Sequence, residues 1–268
     1  MILCLDVGNT QIFGGIFDQN VLKLKFRFDS SANYTSDQYG VFLKNVLREN
    51  NIDAELVSQI SFCSVVPHID YSLRAACIKY FNIEPFSLQV GTKTGLKVKY
   101  KTPSEVGSDR ISNAIAAINA FPNKNIIVID FGTATTLCAI SKDKEYLGGI
   151  ILAGMRLSMN ALQSNTAKLS PVEIIKPSRT IGKTTAESIQ SGLYYGQLAT
   201  IESLCQRITI ENFIQNPPVI IGTGGFAHLF NDEGLFNVLL PDLVLDGLKI
   251  ALENNSIPIG NHKDYANQ

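Results

Sequence analysis

The sequence has 268 residues, 45% hydrophobic and 18% charged, with a formal net charge of -1. That composition describes a globular chain long enough to bury one large core or two smaller ones. It argues against a polycationic surface for nucleic acid or anionic membrane, and no run of about 18 apolar residues is present to span a bilayer.

The opening segment Met1-Ile2-Leu3-Cys4-Leu5-Asp6 is apolar but short, without a basic flank, and Asp6 interrupts it where a signal peptide would continue. It reads as a buried strand, and a cytoplasmic protein is expected. The five cysteines, Cys4, Cys63, Cys77, Cys138 and Cys205, show no metal-ligand or redox spacing. They read as reduced, buried thiols. The three histidines, His68, His228 and His262, form no cluster in sequence.

In chain order, Ile2–Val7, Ile12–Phe17 and Val21–Phe28 read as a three-stranded meander broken at Gly8-Asn9 and Asp18-Gln19-Asn20. Ser36–Glu49 carries Tyr39, Phe42, Leu43, Val46 and Leu47 at helical spacing. A strand over Ile60–Val66 and a helix from Pro67 to about Phe81 follow, with proline suited to the first helical turn. The pattern then restarts. Ser104–Phe121 is predicted helical, Asn125–Asp130 a buried strand, and Thr135–Ser141 and Glu145–Leu152 two strands around a Lys142-Asp143-Lys144 turn. Further helices are predicted over Met155–Gln163, Thr185–Ile210 and Asp242–Asn254, with a strand at Val219–Gly222 and a frayed polar tail after Asn255.

An internal echo organises these elements. Strand–Asp6-Val7-Gly8-Asn9-Thr10–strand recurs as strand–Asp130-Phe131-Gly132-Thr133-Ala134-Thr135–strand, 124 residues later. A duplicated α/β domain is the economical explanation. Glycine at a strand turn lets backbone N–H groups approach a phosphate. Asn9, Thr10, Thr133 and Thr135 add side-chain donors, and the strand-end carboxylates of Asp6 and Asp130 suit a cation, directly or through water. Gly182-Lys183-Thr184 resembles the end of a P-loop, but the glycine required five residues earlier is Pro177.

Three further signals stay open on residues alone. Gly148-Gly149, leading to Ala153-Gly154, is a strand bulge or a wall beside a ligand. Gly222-Thr223-Gly224-Gly225 is a structural turn or a close approach to a flat ring or phosphate. Gly107-Ser108-Asp109-Arg110 is an ordinary acidic first helical turn or an acceptor-binding corner. In the second case Asp109 takes the acceptor's hydroxyl proton and Arg110 pairs with a carboxylate. Tyr100, among the alternating lysines of Lys97–Lys101, is a strand aromatic or part of that pocket.

In order and separation, Asp6–Thr10, Gly107–Arg110, Asp130–Thr135 and Gly148-Gly149 resemble type III pantothenate kinase from Met1 to about Leu252. The resemblance implies two ribonuclease-H-like domains of the actin-like ATPase kind, with mixed β-sheets flanked by helices and a nucleotide cleft between them. Residues 1–113 and 114–268 are the expected halves. It implies ATP binding by Asp6, Val7, Gly8, Asn9, Thr10, Gln11, Ile12, Phe13 and Thr133, and a catalytic base at Asp109. It implies pantothenate binding by Tyr100, Gly107, Ser108, Asp109, Arg110 and Thr185, with Thr184 as the alternative to Thr185. Mg²⁺ near Asp6, a potassium or ammonium ion at Asp130, and a homodimer are implied as well. The family's usual Pro-Gly is Ala153-Gly154 here, which removes no catalytic group. Two other readings compete: a sugar or acetate kinase of the same superfamily, whose acceptor has no carboxylate for Arg110, and an ATP-binding accessory factor for transcription.

Overall fold

A computed structural model describes residues 1–30, 34–165 and 170–256. The polar tail expected to fray after Asn255 lies outside the described residues from position 257 onward.

The first sheet begins as the predicted meander, β1 (Ile2–Val7), β2 (Gln11–Asp18) and β3 (Val21–Asp29). Helix α1 (Ser36–Glu49) starts in a full capping box, with Thr35 and Gln38 each satisfying the other's backbone N–H. It returns the chain to β4 (Gln59–Ser64), parallel to β1. Helix α2 (Pro67–Phe81) and the short β5 (Phe86–Ser87) complete the order β3-β2-β1-β4-β5.

The second sheet repeats this plan. Strands β7 (Ile126–Phe131), β8 (Ala134–Ile140) and β9 (Glu145–Ala153) form the meander. Helices α4 (Met155–Ser164) and α5 (Thr185–Asn212) lead to β10 (Val219–Thr223), parallel to β7. The strands β6 (Lys97–Val98) and β11 (Val238–Leu239) sit at the edges, giving β11-β10-β7-β8-β9-β6.

Strand alternation decides which helices cover which face. Leu3, Leu5 and Val7 turn toward α1 and α2, whereas Cys4 turns inward toward α3 (Ser108–Ala120) and α6 (Leu243–Asn255). In the second sheet Ile127, Ile129 and Phe131 face α4 and α5, and Ile126 and Val128 face α3. Helices α3 and α6 therefore lie between the two sheets. Their contact is close: Ser112 Oγ donates to the Val244 carbonyl at 2.7 Å, and a Cβ at Gly247 would overlap the Ser112 carbonyl oxygen. Leu245 and Leu248 of α6 are fully buried in this layer with Cys4, Phe17 and Ile115. Truncating either to alanine would cost about 2–5 kcal/mol.

The helix predicted over Ser104–Phe121 is shorter. A 3₁₀ turn covers Pro103–Glu105, Val106 and Gly107 are extended, and α3 begins at Ser108. Burial of the Val106 side chain holds that break open. Position 113/114, the expected division, falls within α3; β6 precedes it yet joins the second sheet, and α6 follows it yet packs on the first. Among the described residues no helix is long and apolar enough to cross a membrane, and all five cysteines are free and buried.

Candidate active site

The central strands β1 and β7 end in Asp6 and Asp130 before Val7 and Phe131 close them. Asp6 shares a strand side with Cys4 and Asp130 with Val128, so both carboxylates face the layer between the sheets. Carboxyl ends of central strands are where open α/β sheets bind ligands.

The two turns meet. Thr10 Oγ1 and Thr133 Oγ1 are hydrogen-bonded at 2.9 Å although 123 residues separate them. The first turn is fixed by Gly8 N–H donating to the Gln11 carbonyl at 3.1 Å and by Ser30 Oγ donating to the Gly8 carbonyl at 2.6 Å. The second is fixed by Gly132 N–H on the Ala134 carbonyl and Gly154 N–H on the Thr133 carbonyl, both 3.1 Å. Asn9, Thr10, Gln11 and Thr133 present exposed side chains. Val7, Ile12 and Phe13 are buried in the cores, so only their backbone groups remain for a ligand.

Three carboxylates gather beneath these turns. Burial, then the charges of Asp109 and Asp130, push Asp6 up to about 7, against a hydrogen bond donated by Cys63 Sγ at 3.4 Å. Burial and Asp109 push Asp130 up to about 6, held back by Asn113 Nδ2, which donates to its Oδ2 at 3.0 Å. Burial also raises Asp109, opposed by the Arg110 N–H donating to its Oδ1 at 2.8 Å. Like charges that disfavour one another's ionisation suit a cation. Asn113 Oδ1, on the amide that bonds Asp130, is buried without a hydrogen-bond partner among the described residues. No group of three or more His, Cys, Asp or Glu side chains among the described residues encloses a metal directly. Water and phosphate oxygens would have to complete any shell.

The Gly107–Arg110 segment forms the start of α3. Ser108 Oγ donates to the Ser64 carbonyl at 3.0 Å and accepts from its N–H at 3.2 Å, tying α3 to the end of β4 and occupying that hydroxyl. Gly107 leaves no room for a Cβ against Asp109 Oδ1. Arg110 is 6% exposed and has no carboxylate partner among the described residues. Its Nε donates to Cys138 Sγ at 3.3 Å, its Nη2 is buried without a partner, and Tyr100 hydrogen-bonds it. The Tyr100 and Tyr146 rings lie 6.4 Å apart. A buried guanidinium stays charged and needs an acceptor.

Thr185 does not join this corner within one chain. It opens α5, on the opposite face of the second sheet from α3, and is exposed. Thr184 is the helix N-cap, its hydroxyl accepting from Glu187 N–H at 3.1 Å. Residue types alone gave no signal for Cys63, Asn113, Cys138 or Tyr146; each acquires its role from a non-local contact.

Two copies of one meander-and-crossover sheet bring their facing turns together over buried carboxylates, a duplicated two-sheet α/β fold. The structure of a putative 2-dehydro-3-deoxygalactonokinase from Sinorhizobium meliloti shares this fold with a TM-score of 0.61, covering 99% of this chain and 100% of that one at 12% identity. The family model described as type III pantothenate kinase matches residues 2–207. The type III pantothenate kinase of Legionella pneumophila (strain Corby) is 59% identical over 256 residues, 96% of this chain and 100% of that protein. Type III pantothenate kinase 1 of Francisella tularensis subsp. holarctica (strain OSU18) is 50% identical over 255 residues, 95% of this chain and 100% of that protein. The chain belongs to the type III pantothenate kinase family.

Proposed function

We propose that this chain transfers the γ-phosphoryl group of ATP to the primary hydroxyl of pantothenate, giving 4′-phosphopantothenate in the first step of coenzyme A biosynthesis. The observation that carries the ATP half is the meeting of the two turns through Thr10 and Thr133. The family carries the identity of the acceptor.

In this reading the polar groups of the Asp6–Phe13 turn and Thr133 hold the phosphates. Arg110 pairs with the pantothenate carboxylate, and Tyr100, Gly107 and the backbone around Ser108 shape the pocket. The hydroxyl oxygen attacks the γ-phosphorus as the bond to the bridging β,γ-oxygen breaks; ADP leaves, and Asp109 accepts the hydroxyl proton. Such a transition state is loose, so positioning and charge stabilisation matter more than a strong base. Asp6, through water, would hold Mg²⁺, and Asp130 with Asn113 Oδ1 a potassium or ammonium ion; both would offset phosphate charge. The accessory-factor and sugar- or acetate-kinase readings give no account of the buried, carboxylate-free Arg110.

A homodimer completes the proposal. Among the described residues strand β9 pairs β6 at Glu145 and Tyr146 alone, leaving the outer edge of Leu147–Ala153 unpaired there, with Ile151 exposed. Leu157 and Ile181 are exposed as well. An open apolar edge invites a partner, and in a dimer Thr185 serves the acceptor site of the second copy.

The test is ADP release with ATP, Mg²⁺ and potassium, with and without pantothenate. Pantothenate-dependent turnover is expected, lowered about 10²–10⁴-fold by Asp109→Asn. Absence of pantothenate dependence sinks the function; an unaffected Asp109→Asn sinks the base.

A further inference from the structure

The guanidinium of Arg110 is held by an arrangement that the acceptor chemistry alone does not require. Cys138 Sγ, at the second sheet's α3-facing surface, accepts from Arg110 Nε at 3.3 Å and from the Tyr146 hydroxyl at 3.2 Å. The Tyr146 ring lies beneath the cation, 5.7 Å from Cζ, a separation that still permits cation–π attraction. Cys138 and Tyr146 are 2% and 0% exposed, so neither can reach solvent or substrate. On the other side, a Cβ at Gly149 would overlap Arg110 Nη2 and the Leu137 carbonyl oxygen. The guanidinium is thus fixed at Nε, supported on one plane, and accommodated at Nη2 only because Gly149 has no side chain. Leu147, the residue without a partner in the β8–β9 register, sits in the bulge that lets Tyr146 and Gly149 both face this group.

We propose that Cys138 and Tyr146 are positioning residues for Arg110, and that Gly149 sets the room its fork needs, so that together they fix the acceptor carboxylate's binding geometry. The inference rests on the pantothenate reading. A fork held at Nε presents its remaining N–H groups in one plane, the arrangement that pairs with a carboxylate in bidentate fashion. Without the sulfur, the side chain regains rotamers and binds the carboxylate as a diffuse charge.

Steady-state kinetics of Cys138→Ala, Cys138→Ser, Tyr146→Phe and Arg110→Gln, with the Cys138→Ala/Arg110→Gln double variant, test this. Cys138→Ala should raise the pantothenate KM about tenfold, the worth of one charge-assisted hydrogen bond, with the KM for ATP unchanged. Tyr146→Phe, which removes only a hydroxyl and keeps the ring, should raise it about threefold, since it loses a neutral hydrogen bond. Cys138→Ser should recover most of the loss. In the Arg110→Gln background Cys138→Ala should add nothing, because coupled residues are not additive. Equal KM rises for both substrates, full additivity in the double variant, or an unchanged pantothenate KM in both Cys138→Ala and Tyr146→Phe would overturn the proposal. An Arg110→Gln enzyme with a normal pantothenate KM would instead sink the carboxylate reading beneath it.

Discussion

The two glycine turns share a strand plan but not their surroundings. The first spans three residues between β1 and β2, the second two between β7 and β8. Each glycine N–H closes its own loop. The carboxylates below them have different companions. Asp6 receives a thiol hydrogen bond from Cys63 at 3.4 Å; Asp130 receives an amide hydrogen bond from Asn113 at 3.0 Å. A thiol is a weak donor; burial first, then the charge of Asp109, pushes Asp6 up to about 7 and Asp130 up to about 6. Duplication supplied one scaffold twice, and the residues packed under each copy made the two carboxylates chemically different. Asp6 is thus the less well supported of the two by protein donors. Asp130 has an amide on one oxygen and the unpartnered Oδ1 of that same amide nearby, the contrast on which the proposed division of Mg²⁺ and potassium between the two carboxylates rests.

The sharpest test of that difference is cation titration of Asp6→Asn and Asp130→Asn. Each should lose turnover by about 10²-fold or more, the scale of removing one group that stabilises transition-state charge. Asp6→Asn should raise the Mg²⁺ concentration needed for half-maximal rate, and Asp130→Asn the potassium requirement. Identical shifts in both would erase the distinction between the turns.

A smaller effect concerns stability without ligands. A carboxyl whose folded pKa is raised binds its proton more tightly folded than unfolded. Its ionisation therefore costs stability as pH climbs from the ordinary 3.8 through about 7 for Asp6, or about 6 for Asp130, and costs nothing further above that. In chelator at pH 8, both Asn variants should melt a few degrees above wild type, Asp6→Asn by more. The gap should close as pH falls toward about 4, below which wild type is protonated in both states. A lower Tm for the variants at pH 8 would refute the assignment of these carboxylates as strained by burial and mutual repulsion.

The turns were legible in the sequence because everything that defines them is local: an apolar strand, Asp, a glycine two residues on, another strand. Gly107–Arg110 was legible for the same reason. What escaped is carried by distant partners. The return of α6 to the first sheet depends on Leu245 and Leu248 meeting Cys4 and Phe17 across most of the chain, and an amphipathic helix does not announce which sheet it covers. Gly148-Gly149 was readable as a bulge or a wall beside a ligand; the register at Leu147 shows the bulge, and Gly149 also lies against Arg110. Ser108, grouped with the acceptor residues, has its hydroxyl committed to Ser64, which no spacing within 107–110 could reveal. The N-cap role of Thr184 depends on a helix start that the doubled threonine does not reveal.

The smallest expected effect bears on the contact joining the turns. The Thr10–Thr133 hydrogen bond is exposed and neutral, so its net worth is about 0.5–1.5 kcal/mol at most. Thr10→Ala and Thr133→Ala should each raise the ATP KM a few-fold, the cost of a single weak hydrogen bond, and shift Tm by no more than a few degrees. The double variant separates two roles. In the free protein the hydroxyls bond each other, so losing both should destabilise little more than losing one. In the proposed ATP complex each hydroxyl would bond its own phosphate oxygen, so the two KM effects should multiply. If the KM effects fail to multiply while the melting effects stay non-additive, the hydroxyls act only as a latch between the turns, and the turns do not grip the phosphates independently from opposite sides.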